Sequence, residues 1–380
     1  MKKKLVALFL SCVTFGALLT ACVSPSILPQ PEPESEVVSE VASMEDGSGI
    51  YQPDQKENTV VNLDLLLNQD IKTLNAIAAK DNIIFSPVSL NTALNMYQHL
   101  SNDAEYNASI SEFTNCINYL DYTYPGDTYK SVNRIWVNEI NKTQVPDNDL
   151  TDLEYVMDMS DSQKATDKKN AFVNEQTNGF ITKTPSVLNA DTVYDIMNIL
   201  YFKDEYKSKL KKLDYEPVFN NEDGTESKPQ FVKFNTSSFY QNSTATVVSV
   251  DYKNGNKLLL IKPNASINAV DLTDIFEEEA YGNMDVYFPL FSAENSFMLN
   301  DFAEEVFGKP APVDIMQVAK IEVDENGTTA AAVTEMIKSN GIEPVEVEKT
   351  ELWFDSPFYY AIEDTANGDI AFIGRVSNFK

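Results

Sequence analysis

From Gln317 to Pro357 the chain reads QVAKIEVDENGTTAAAVTEMIKSNGIEPVEVEKTELWFDSP, two strand-like runs flanking a segment that fits no ordinary element. Val318–Val323 alternates as a half-buried strand does, and Val345–Phe354 is again strand-like. Between them Asp324-Glu325-Asn326-Gly327 interrupts the pattern, and TTAAAVT follows, small and almost featureless. Local rules make Gly327–Pro344 an exposed loop, longer than compact domains hold unless the loop has a task. Ala330-Ala331-Ala332 has low strand propensity, yet side chains this small can slide between two existing strands without a clash. In an extended conformation Thr328, Ala330, Ala332, Thr334 and Met336 share one face, and Thr329, Ala331, Val333, Glu335 and Ile337 the other. The first set is small or apolar enough for burial; the second suits a place beneath a helix. A plain linker of small residues has the same composition, so the rest of the chain must decide.

Composition removes several function classes. The formal charge is −29, from 29 Lys+Arg against 58 Asp+Glu, so the chain repels phosphate backbones and nucleic-acid binding is disfavoured. Hydrophobic content of 43%, with 18 Tyr and 21 Phe, is enough to fill a sizeable core. Cys12 and Cys22 lie in the N-terminal segment, which leaves Cys116 as the one cysteine of the body and no pair there for a disulfide or a cysteine-rich metal site. His99 is the one histidine, near a helix end, where such a residue complements the helix dipole more often than it catalyses. No metal or cofactor is expected.

Residues 1–21 carry a basic start, Lys2-Lys3-Lys4, and an apolar core too short to span a membrane, as signal peptides do. Leu19-Thr20-Ala21-Cys22 resembles a bacterial lipobox, which implies that Cys22 is lipidated and that the exported protein is anchored to the cell membrane with its domain facing outward. The 22–58 segment, rich in Pro, Glu and Ser, reads as a solvated tether. The folded domain is expected over 59–380. Its periodicities give helices over Thr59–Lys80, Asn102–Asn118 and Asp149–Met157, a strand at Val132–Val137, and a short strand running into a helix at Asn82–Met96.

At these residues a family resemblance enters. Glu325, Gly327, Thr328, Ala330, Ala331, Ala332 and Thr334 resemble the hinge of the serpin reactive-centre loop, E-x-G-T-x-A-A-A-x-T. Matches to other serpin segments follow in family order: NIIFSPVSL at Asn82–Leu90, Asn133 with Trp136, the Asn170–Ile181 helix, TVYDIMNILYFK at Thr192–Lys203, MDVYFPLF at Met284–Phe291, and the C-terminal Ser356–Asn378 hairpin. The resemblance implies an α+β serpin fold, with about nine helices around three β-sheets, a large central mixed sheet and an exposed reactive-centre loop. It implies a monomeric suicide inhibitor of serine proteases, not an enzyme, whose loop is cut as bait and inserts into the central sheet.

The family pattern also assigns roles. Ser86, Ser89, Asn198 and Gln317 are implied to form the polar cluster where the central sheet opens, and Tyr206 stands where the loop first enters it. Gln317 replaces a histidine common in the family, so this cluster has no group that titrates near neutrality. Tyr206 replaces a tryptophan, Asp204 a glycine and Ile199 an alanine. Family spacing from Gly327 places the cut between Gly341 and Ile342, with Asn340 or Ile342 as the recognised residue, which suits an elastase- or subtilisin-type protease. Lys338 is the rival, suited to a trypsin-type pocket, but cutting there leaves a shorter arm to insert. The alternative function is a non-inhibitory serpin serving as a cell-surface binding lipoprotein; a hydrolase using paired carboxylates has almost no specific support in so acidic a chain.

Overall fold

Apolar residues at three- and four-residue spacing wind Leu63–Ile77 into helix α1, which buries Leu66, Leu67, Ile71 and Leu74. The computed structural model that shows this describes residues 62–77, 82–124, 129–184, 186–308, 316–328 and 350–379. Strand β1, Ile83–Phe85, leads into α2, Pro87–Leu100, where Ser86 caps the first turn by accepting from the Ser89 N–H and Pro87 takes the position that needs no donor. Helix α3 is Ala104–Phe113, capped by Asp103 through the Tyr106 N–H, and it ends short of Asn118 because Asn115 and Cys116 take the left-handed conformation at φ 52 and 57.

Strand β2, Tyr129–Asn138, is followed by β3, Glu154–Met157. The helix expected over Asp149–Met157 is not formed: Thr151–Leu153 is a single 3-10 turn, and the run after it extends the sheet in parallel beside β2. A β-branched and aromatic run of this length gains more from an open sheet edge than from one helical turn. Helix α4, Ser162–Gln176, ends before the stretch expected of it, because Asn178 and Gly179 sit at φ 51 and 82, the left-handed conformation that stops a helix. Then come β4, Tyr194–Phe202, and β5, Asp204–Glu205.

The second half is mostly strand: β6 Lys211–Lys212, β7 Phe219–Asn220, β8 Glu226–Ser227, β9 Phe231–Gln241, β10 Ala245–Asp251, β11 Lys257–Pro263, β12 Glu279–Pro289 and β13 Phe291–Met298. After helix α5, Asn300–Phe307, follow β14 Met316–Val323, β15 Gly327–Thr328, β16 Thr350–Trp353, β17 Phe358–Asp364 and β18 Asp369–Val376. Nine of these strands form one sheet, ordered β1-β18-β17-β11-β10-β9-β12-β16 with β6 beside β9. Its centre is dry on both faces, since β18 is buried along its whole length, β17 nearly so, and β11 along its central run Leu258–Ile261. The described residues hold five α-helices and four 3-10 helices. Two further ladders, β3-β2-β4 and β13-β14-β15-β5, with the β7–β8 pair, complete the mixed α+β architecture.

Candidate functional site

Those two ladders do not close on each other. Among the described residues no backbone pairing joins β4 to β14, although both line one cavity of about 460 Å³. Strand β15 pairs antiparallel with β14 through Val323 and Thr328, and antiparallel with β5 through Gly327–Glu205 and Thr328–Asp204. Two strands antiparallel to the same third strand run parallel to each other, and β5 continues β4 after Lys203. The sheet therefore presents two parallel edges with a gap between them, bridged at one end by two residues. Gly327 and Thr328, which local rules assign to the loop, are already strand.

This bridge is built with little room to spare. Asp324 Oδ1 accepts from the N–H groups of Asn326 (2.7 Å) and Gly327 (3.0 Å), which turns the chain back from β14. At Gly327 a Cβ would lie 2.2 Å from the Asp204 carbonyl oxygen and 2.7 Å from Glu205 Cα, so only glycine permits this approach. Thr328 is buried, and its hydroxyl bonds the Tyr252 hydroxyl. Tyr206 stacks on Tyr252 with ring centroids 5.1 Å apart, and its N–H donates to the Asn326 carbonyl at 2.8 Å. Glu325 takes Lys212 at 2.9 Å and Lys209 at 3.7 Å. Burial pushes the Glu325 carboxyl up, but the Lys212 hydrogen bond and the two positive charges outweigh it and hold the group below the usual range.

At the other end of the gap Gln317 clasps the start of α2. Its Oε1 accepts from the Ser86 N–H at 2.9 Å, and its Nε2 donates to the Ser86 carbonyl at 2.8 Å. Ser86 Oγ donates to the Ala371 carbonyl of β18 at 2.7 Å. Ser86, Ser89 and Gln317 are thus brought together. Asn198 lines the same cavity but turns its amide to β2, donating to Ser131 Oγ (2.7 Å) and Asn133 Oδ1 (2.8 Å). Its own carbonyl oxygen is buried with no partner among the described residues.

Helix α4 roofs the gap. It packs Ala165 and Val173 over Trp136, Met197 and Ile199, and buries Lys169 against Asp195 Oδ2 at 3.0 Å, with Ser186 Oγ beside it. Burial raises the Asp195 pKa and Lys169 opposes that rise. Ala330, Ala331, Ala332, Thr334, Lys338, Asn340, Gly341 and Ile342 lie outside the described residues, as does Cys22. Reasoning from sequence missed Lys209, Lys212, Tyr252 and Lys169, which are ordinary surface or core residues by local pattern. Only the lysine-rich run 207–212, unusual in so acidic a chain, offered a signal.

Comparison with known proteins agrees with this geometry. The family model described as serpin (serine protease inhibitor) matches residues 69–379. A probable serine proteinase inhibitor 1 of swinepox virus is 24% identical over 319 residues, covering 78% of this chain and 95% of the viral one. An uncharacterized serpin-like protein of Thermococcus kodakarensis is 27% identical over 237 residues; that match spans only 56% of either chain. Among solved structures, the thermophilic serpin tengpin in its native state superposes with a TM-score of 0.69 at 21% identity, covering 87% of this chain and 96% of tengpin.

Proposed function

The chain belongs to the serpin family of serine protease inhibitors, and from that premise we propose that it inhibits by the suicide route. A protease cuts the loop that follows Thr328, and the freed arm inserts between β4 and β14. The single observation that carries this reading is the pair of parallel edges bridged at one end by Gly327 and Thr328. A single strand antiparallel to both edges satisfies the two at once, and β15 itself already runs in that direction.

The two registers also agree with each other. Continued along the gap, they set Ala330 between Ile321 and Phe202, Ala332 between Ala319 and Leu200, and Thr334 between Gln317 and Asn198. The small residues meet the buried side chains, and Thr334 meets the two amides. The face carrying Ala331 and Val333 comes to lie under α4. Cutting between Gly341 and Ile342 leaves an arm long enough to fill the gap, and favours an elastase- or subtilisin-type target.

The test is incubation with elastase, subtilisin and trypsin in turn. An SDS-stable complex and a released peptide beginning at Ile342 are expected with the first two. Clean cleavage without any complex would favour the non-inhibitory, surface-binding reading instead. Cys22 is proposed as the lipid anchor on the strength of LTAC, and a Cys22→Ser variant is expected in the soluble fraction. Retention of that variant on membranes would count against the anchor.

A further inference from the structure

A second polar cluster lies outside this site, where α1, α2, the β17–β18 hairpin, the segment Tyr119–Tyr124 and Tyr129 pack together. Asp369 opens β18 and is 2% exposed; it accepts from the Tyr122 hydroxyl and from the Ile370 N–H, each at 2.7 Å. Asp364, opposite it across the hairpin, accepts from the Tyr129 hydroxyl at 2.7 Å and from Asn367 Nδ2 at 2.6 Å. Those two carboxylates are well supplied with donors. Asp70 on α1 is not: it is 6% exposed, and its Oδ2 has no hydrogen-bond partner among the described residues. Asn91 Oδ1 on α2, also buried, is in the same position. Tyr119, itself buried, lies within the field of both Asp369 and Asp70.

Two buried acceptors without donors among the described residues call for a proton. An ionised Asp70 would be a buried charge repelled by Asp369, an arrangement proteins avoid by neutralising the group. A proton removes that charge and supplies a donor. We propose that Asp70 is a proton-binding site, kept neutral by the native fold at neutral pH, whose proton secures α1 against α2 and the C-terminal hairpin.

The groups that face it allow no substitute for that proton. Asn91 of α2 is uncharged, and Asp369 and Asp364 of the hairpin repel an anion. Tyr119, Tyr122, Tyr124 and Tyr129 stay neutral because burial pushes their hydroxyls up. Burial, then repulsion by Asp369, raises Asp70 well above the carboxylate range; burial raises Asp369 to about 6. Both folded-state values stand above the unfolded ones. The native protein therefore binds more protons than the unfolded chain, and this stabilisation is fully present below the ordinary carboxylate range and lost as pH rises through the raised values. Gln317 does not titrate, so the change belongs to melting and not to the Gln317 clasp.

Infrared spectroscopy of the intact chain tests this directly. At pH 7.5 the wild type is expected to show the carbonyl stretch of a protonated carboxyl, and Asp70→Asn is expected to lack it. Between pH 5 and 8 the melting temperature of the wild type is expected to fall about 5 °C further than that of the variant. Absence of the band from the wild type at pH 7.5, its survival in Asp70→Asn, or parallel melting curves would overturn the proposal. If Asp70→Asn does not fold, titration of the wild-type band decides: a band gone by pH 7 belongs to Asp369 alone and overturns it.

Discussion

Cutting the loop between Gly341 and Ile342 is expected to raise the melting temperature by about 20 °C over the intact protein. Two sheet edges, β4 and β14, face one another without pairing in the described structure. A single inserted strand gives both edges a partner, and its first rungs, Gly327 with Glu205 and Thr328 with Val323 and Asp204, are already made. Each new ladder bond contributes about 1 kcal/mol net, so the rungs beyond Thr328 release on the order of ten kcal/mol before side-chain packing is counted. That is comparable to the whole stability of an ordinary domain. It is also the work available to distort a protease carried along by the acyl bond. Scanning calorimetry before and after limited proteolysis measures it. Equal melting of nicked and intact protein would mean that no strain is stored, and the inhibitory mechanism would fall with it.

How much of this was legible beforehand depended on the range of the cause. Val318–Val323 announces a strand by its own alternation, whereas TVYDIMNILYFK is placed by the family resemblance, and β14 and β4 match them within two residues. The pairing of Ser86 with Gln317 followed from family order, since the two lie far apart in the chain and no spacing rule connects them. Gly327 and Thr328 read as loop because what makes them strand is Asp204 and Glu205, more than a hundred residues earlier. Glu154–Met157 read as helix for the same reason: its partner is the edge of β2. Nothing in local pattern sets Asp70 apart from the other polar positions of α1, and its burial follows from the packing of α1 on β18. Local pattern fixes elements; contacts between distant segments fix the site.

Thr328→Glu is expected to convert the protein from inhibitor to substrate. Thr328 is 1% exposed, bonds Tyr252 through its hydroxyl, and stands directly across from Asp204, itself 8% exposed. A glutamate there would place a second carboxylate beside the first in a buried site. Neutralising or expelling that charge costs several kcal/mol. The simplest relief is for β15 to leave the sheet. The cut arm would then lack its starting rungs, while the protease would still deacylate at its ordinary rate. At 1.4 kcal/mol per factor of ten, the ratio of trapped complex to released, cleaved inhibitor is expected to fall about a hundredfold. Thr328→Ser keeps the hydroxyl and should retain most of the trapping, which separates the effect of charge from loss of the Tyr252 contact. Titrating a fixed amount of protease with each variant and resolving complex from cleaved product on a denaturing gel gives the ratio. Complex formation by Thr328→Glu at the wild-type ratio would show that trapping does not need this residue in the sheet.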